Sequence, residues 1–233
     1  MKVRMRWSKT GVLKFIGHLD VQRYFHRAMM RANMPVTFSQ GMSPHQIMSF
    51  AAPLGIGMTS EGEYADVTFD ERISSKEAIE RINAVMNEGI SVTEFKEIDE
   101  HEKNCMSETA AADYLVTLRE GYYCKDAFLK RCEAFRFQEE ISILKKTKRS
   151  EKVVDIAPLI LDIHEDVKRG GIFMKLVTGG AQNLKPHLVM EAFCNYLGYD
   201  YQPFAFMHHR VETYLEKDGQ LQPLGSVGWE IDE

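Results

Sequence analysis

Val3, Met5 and Trp7 alternate with Lys2, Arg4, Arg6 and Ser8, the two-residue period of a strand with one face in the core. Lys9-Thr10-Gly11 breaks that period. From His18 to about Asn33, the apolar Val21, Tyr24, Phe25, Ala28, Met29 and Ala32 recur at i, i+3, i+4, i+7, i+8 and i+11, which predicts an amphipathic helix closed by Asn33-Met34-Pro35. Val36–Phe38, Ile47–Ala51 and Tyr64–Phe69 read as strand material, and Ser74 or Ser75 can cap a helix reaching Met86. Ile90–Ile98 closes the set. Strand, helix, strand, strand, helix, strand is the order of a split βαββαβ, ferredoxin-like unit.

A similar order recurs downstream. Tyr114–Leu118, Ile141–Lys145, Ile172–Val177 and Phe206–Leu215 read as strands, with helices over Lys125–Phe135 and Lys185–Leu197. Asn183 is a candidate cap for the last helix, and Pro186 suits its first turn. Residues 153–169 fit strand, short helix or both. The expected fold class is α+β, with two tandem ferredoxin-like halves at 1–98 and 113–215, a linker at 99–112 and a C-terminal tail at 216–233; one irregular α+β domain is the alternative.

Charge changes this picture. The first fifty residues hold Lys2, Arg4, Arg6, Lys9, Lys14, Arg23, Arg27 and Arg31 against the single acid Asp20, so they carry +7 and the remainder −12 of a net −5. Such asymmetry predicts a directed basic surface for nucleic acid or an acidic partner. Arg23, Arg27 and Arg31 recur at i, i+4 and i+8 opposite the apolar stripe, a guanidinium row about 12 Å long at the helical rise. Arginine forks match phosphate oxygens, although a solvated helix face is the commoner fate of such a run.

Other candidates are local. Asp20 is expected to cap the first helix, with His18 beside it as a ligand-orienting or acid–base group. The loop Ser39-Gln40-Gly41-Met42-Ser43-Pro44-His45 offers Gln40, Gly41 and His45 to a ligand, or closes on its own hydrogen bonds. Lys146 and Lys148, within the basic run Lys145–Lys152, could grip a phosphate or mark a soluble loop tip. Cys105, Cys124, Cys132 and Cys194 lack the spacing of a zinc, redox or iron–sulfur motif, so no metal or cofactor is expected on this chain. No apolar run approaches a membrane span and no apolar stretch follows the charged N-terminus, which makes cytoplasmic residence the expectation.

Several stretches resemble a family of uncharacterised proteins encoded beside, or fused to, cobalamin-binding radical SAM proteins. They are Arg6-Trp7-Ser8-Lys9-Thr10-Gly11, Phe15-Ile16-Gly17-His18-Leu19-Asp20, the helix with Arg23, Arg27 and Arg31, and Ser39–His45. Ser49–Gly55 and Ser60–Tyr64 continue the likeness, and Lys145–Lys148, Val154-Asp155-Ile156 and Asn183–Pro186 carry it more weakly. The family usually has Ser where Gly17 stands and an aromatic where Met42 stands. The resemblance implies a radical SAM partner that would hold the S-adenosylmethionine and the iron–sulfur cluster, with this chain binding or presenting substrate, RNA being one class. A stand-alone enzyme using Lys9, His18, Asp20 and His45 on a small anion, and an adaptor docking on the partner, are the alternatives.

Overall fold

The computed structural model describes residues 1–146, 151–180 and 182–232. They form two compact units, one of Met1–Ala110 with Glu212–Glu233, the other of Ala111–Val211. The fold is mixed, built on strands and six α-helices among the described residues.

The first unit opens with β1 (Lys2–Lys9), α1 (His18–Arg31), β2 (Met48–Phe50), β3 (Thr59–Thr68), α2 (Ser75–Asn83), β4 (Ile90–Ile98) and the short α3 (Cys105–Glu108). β1 pairs antiparallel with β3 on one side and β4 on the other, and β2 adds to β3, giving the order β4-β1-β3-β2. Val3, Met5 and Trp7 of β1 sink into one core with Val21, Phe25 and Met29 of α1 and Ala78 and Ile82 of α2. The 3.6-residue stripe of α1 thus meets the two-residue stripe of β1, as the apolar pattern requires. Ser74 caps α2 by accepting from the Glu77 N–H at 3.3 Å. α1 is different: its N-cap is Gly17, with no side-chain cap, so the capping role expected of Asp20 is not what the structure shows. Asp20 sits in the first turn instead, where a carboxylate still meets the positive end of the helix dipole.

The second unit contains β5 (Thr109–Leu118), which enters it at Ala111, α4 (Lys125–Leu129), α5 (Cys132–Arg136), β6 (Ser142–Lys146), β7 (Glu151–Asp155), β8 (Ile160–Asp166), β9 (Gly171–Val177), α6 (Pro186–Leu197) and β10 (Phe206–Lys217), the last passing into the first unit at Glu212. Its strand order is β10-β5-β9-β8, with β5–β9 and β8–β9 antiparallel. Here the sequence pattern misleads on one element. The pattern assigns Ile141–Lys145 to the main sheet, yet among the described residues β6 pairs with β7 in a two-stranded ribbon, and the sheet position goes to β8 from the ambiguous stretch 153–169. α6 begins with Pro186 after Lys185, not under an Asn183 cap, and it packs Phe193 on Phe128 and Phe135.

The segments expected as linker and tail are structured. Residues 99–112 include α3 and the start of β5, with Cys105, Ala111 and Ala112 buried. Residues 216–233 finish β10 and add β11 (Gln220–Pro223), paired with β10, and β12 (Trp229–Glu230), paired with β4. Ile231 joins the first unit's core, and Leu224 packs with Tyr64, Cys105 and Leu215 in a smaller cluster on that unit. This second cluster covers the face of β1 that alternation assigns to solvent.

Candidate functional site: a recess at the start of helix α1

Covering that face explains where much of the basic charge goes. Arg4 is 2% exposed. Its guanidinium donates to both carboxylate oxygens of Asp66 at 2.8 and 3.0 Å, to Glu108 Oε2 at 3.0 Å and to the Leu224 carbonyl at 3.4 Å. Burial opposes its charge, but Asp66 and Glu108 more than compensate, and its pKa is raised. Arg6 is paired with Glu94 at 3.1 Å and Glu212 at 3.0 Å. Burial works against ionisation of Glu94, yet Lys96 and Arg6 hold its carboxyl below the usual range. Lys9 is 1% exposed, donating from Nζ to the Ile16 carbonyl at 3.1 Å. The predicted +7 surface is therefore partly an interior: Arg4 and Lys9 are buried and Arg6 is committed to acids.

What remains outside lies mainly on α1. Arg23, Arg27 and Arg31 are all exposed, as the periodicity places them. Arg23 makes a 3.4 Å pair with Asp20, an exposed contact of little energetic weight. Arg31 donates to the Val85 carbonyl at 3.2 Å and lies over the Tyr24 ring at 5.8 Å. Arg27 makes no ion pair or hydrogen bond among the described residues.

At the N-terminal end of α1 the unit has a small recess walled by Trp7, Lys9, His18, Val21, Phe50, Ala52, Leu54 and Glu63. The space between these walls opens to solvent and has room for about one water-sized molecule. β1 supplies Trp7 and Lys9, β3 supplies Glu63, and the first turns of α1 supply His18 and Val21. His18 stands edge-on to Phe50 with ring centroids 5.9 Å apart, and its Nε2 meets Gln22 Nε2 at 3.1 Å. Trp7 is 2% exposed and its Nε1 has no hydrogen-bond partner among the described residues. A buried donor left unmade costs about 1–3 kcal/mol. Trp7 also lines the recess, so a ligand acceptor that reached this N–H would be rewarded.

The recess brings together two of the residues singled out from sequence, Lys9 and His18. It does not include Asp20, which is exposed and paired with Arg23, nor His45. His45 belongs to a loop that closes on itself: its Nδ1 meets Ser39 Oγ at 2.9 Å, its N–H donates to the same oxygen at 3.1 Å, and Ser39 N–H donates to the His45 carbonyl at 2.8 Å. Gly41 has φ +118, which a Cβ would resist, and Gln40 is exposed. The loop is anchored to α1 by Gln46, which meets His26 Nδ1 at 3.0 Å and donates to the His26 carbonyl at 3.1 Å. Lys146 ends β6, while Lys148 lies outside the described residues. Trp7 and Glu63 escaped the sequence reading. Trp7 read as core, and only the strand register, which sets it opposite Glu63, could reveal the pair.

The segment before α1, its first turn and the 55–58 turn carry exposed apolar side chains. Val12, Phe15, Leu19 and Ile56 are 77, 64, 65 and 70% exposed. Leu19 follows His18, Ile56 reaches toward Gly17, and the Gly57 N–H donates to the Lys14 carbonyl at 2.7 Å, tying the 55–58 turn to the segment that carries Val12 and Phe15. Exposed apolar residues are ordinary singly, and their grouping on connected segments makes this a candidate binding surface.

This site lies in the stretch that a family model covers, residues 2–186, described as an uncharacterised protein conserved in bacteria, DUF2344. The chain belongs to that family. The match covers β1 to β9 and stops at the first residue of α6, leaving the rest of α6, β10 and the closing segment of the first unit outside it. No curated protein matches the chain. Among the described residues no group of three or more His, Cys, Asp or Glu side chains could hold a metal ion, and no helix is long and apolar enough to cross a membrane.

Proposed function

We propose that this protein is an accessory module that binds a substrate and presents it to a radical SAM enzyme, with RNA as the substrate class. The observation that carries the reading is the orphan indole N–H of Trp7 at a recess, at the start of a helix that keeps Arg23, Arg27 and Arg31 in solvent. A donor waiting for an acceptor supplies selectivity, and exposed guanidinium groups supply sequence-independent phosphate contacts. The radical SAM partner comes from the family resemblance of the first fifty residues. A tandem ferredoxin-like architecture accords with this role and is supported by the orders β4-β1-β3-β2 and β10-β5-β9-β8, each a βαββαβ order with the closing strand beside the first.

A second reading is favoured by one observation. Val12, Phe15, Leu19 and Ile56 are exposed apolar residues on connected segments, suited to docking on the partner protein, in which case the module is an adaptor. A stand-alone acid–base enzyme gains less support, because of Lys9, His18, Asp20 and His45 only the first two line the recess. The deciding experiment is purification of the tagged chain from cells, identifying protein and nucleic acid in the eluate, followed by anisotropy titration against an RNA panel at low salt. Salt-sensitive RNA binding lost on replacing Arg23, Arg27 and Arg31 together is expected. RNA binding that is absent, or unchanged in that variant, defeats the RNA reading, and a salt-sensitive protein complex free of RNA favours the adaptor.

A further inference from the structure

Trp7 and Glu63 face each other across the β1–β3 ladder, the last regular pair before the register shifts on the way to Lys9. Residues directly opposite in an antiparallel pair share a face, with Cβ atoms about 4.5–5.5 Å apart. Both side chains line the recess, and they are only 2 and 3% exposed. They offer opposite halves of a hydrogen bond: the indole Nε1 only donates, and a carboxylate only accepts. Nε1 has no partner among the described residues. A carboxylate has about four acceptor sites, so Glu63 can take a further N–H while engaged elsewhere. Lys9 and Glu63 give the recess walls one basic and one acidic group, a balance that suits an uncharged ligand.

The edge complementary to a neighbouring donor and acceptor is a carbonyl next to an N–H. We infer that the recess binds the lactam edge of a nucleobase, the carbonyl and ring N–H found in uracil and guanine. Trp7 Nε1–H donates to the ring carbonyl and the ring N–H donates to Glu63. The recess has room for about one water-sized group, which the carbonyl oxygen would fill, and Phe50, Ala52 and Leu54 supply apolar wall for the base. Cytosine and adenine present an amino group where that carbonyl would sit and lack the ring N–H. They set donor against donor at Trp7 and leave Glu63 facing an acceptor. This inference rests on the substrate-binding role proposed above and gives it a selectivity.

The test uses the full chain with its second tryptophan removed. Trp229→Phe leaves Trp7 as the sole indole, since the chain has two tryptophans and Trp229 is 52% exposed at the edge strand β12. Trp7 emission is titrated with uridine and cytidine 5′-monophosphates, which differ only at this edge, and with uridine and short oligo(U) and oligo(C). A saturable response to the uridine ligands, about tenfold or more stronger than to their cytidine counterparts, is expected. Equal responses to the two bases, or none at millimolar ligand, overturn the inference. Glu63→Met, which keeps the length and loses the acceptor, checked for folding by circular dichroism, should remove the uridine preference; retention of the full preference in the folded variant also overturns it. Oligo(U) and oligo(C) that bind alike through salt-sensitive contacts without moving Trp7 emission refute the lactam site and leave the RNA-binding role standing. Uridine that binds selectively while oligo(U) binds no tighter supports the lactam site and sinks the RNA role in favour of a free nucleoside.

Discussion

Replacing Arg4 by Ala should unfold the first unit under mild stress without any ligand being involved. The guanidinium is 2% exposed, forks onto Asp66, reaches Glu108 and touches the carbonyls of Lys103 and Leu224, so one side chain ties β1 to β3, to α3 and to the closing segment. In the variant, Asp66 keeps the Cys105 N–H at 2.7 Å but loses its counter-ion while remaining 4% exposed. Removing one partner of a buried pair costs about 3–5 kcal/mol, a large part of the 5–15 kcal/mol that holds a domain together. For a unit of this size that is a fall in Tm of about 10–20 °C. Arg4→Lys keeps the charge but loses the fork and should cost roughly 1–2 kcal/mol. Asp66→Asn in the Arg4→Ala background removes the orphaned charge, so the double variant should lose less than the sum of the singles by about 1 kcal/mol or more. Urea unfolding followed by tryptophan emission reads the right unit, because Trp7 and Trp229 both belong to it. An Arg4→Ala protein within about 0.5 kcal/mol of the parent, but with weakened ligand binding, would falsify the structural role and return Arg4 to the basic surface.

Two further outcomes follow from other parts of the molecule. Gly228 has φ +91, and an added Cβ would stand 2.3 Å from the Glu97 carbonyl oxygen; Gly228→Ala should therefore detach β12 from β4 and cost about 2 kcal/mol, and a melting temperature equal to the parent's would show that the closing strand contributes nothing. In the second unit, burial, aided by His187, pushes the His208 imidazole down to about 4, and its Nδ1 has no partner among the described residues. With the folded value below the unfolded one of about 6.5, the unfolded chain binds the extra proton first, so stability present above about pH 6.5 declines as pH falls toward 4. His208→Gln should flatten the melting-temperature profile across that window, and a profile as steep as the parent's refutes the assignment.

How much of this was legible from sequence depends on what decides each feature. β1, α1 and β4 follow from apolar periodicity, because the residues that bury them sit on the same element at regular spacing. The fate of Arg4 and Lys9 does not. Alternation put Arg4 on a solvent face, but its burial is decided by Asp66 and Glu108 and by a closing segment more than 200 residues away. The same holds for Trp7 and Glu63, whose meeting is a matter of register. In the second unit the periodicity of Ile141–Lys145 is genuine strand periodicity, yet a pattern of two cannot say which partner a strand takes, and β6 finds β7. The loop 39–45 reads equally as ligand-facing or self-closed, and its Ser39–His45 bonds join residues six apart in a way that composition alone does not specify.

The redistribution of charge has a consequence that ionic strength can measure. If all eight basic residues of the first fifty met phosphates, each would contribute about −0.7 to the slope of log K against log salt for a single strand. The structure withdraws Arg4 and Lys9 into the interior and ties Arg6 to Glu94 and Glu212, while Lys2 donates to the Glu102 carbonyl. Replacing Arg23, Arg27 and Arg31 by Gln should then reduce the magnitude of the slope by about 2. Replacing Lys2 and Arg6 by Gln should leave it within error of the parent, provided the variant remains folded. RNA anisotropy at a series of salt concentrations reads both. A slope that drops for the second pair and not for the three arginines would place the phosphate path across β1 and away from α1. With so few cations free to meet phosphate on this segment, the proposed RNA-binding role assigns electrostatics a modest share of the affinity and leaves selectivity to the donor and acceptor proposed for the recess.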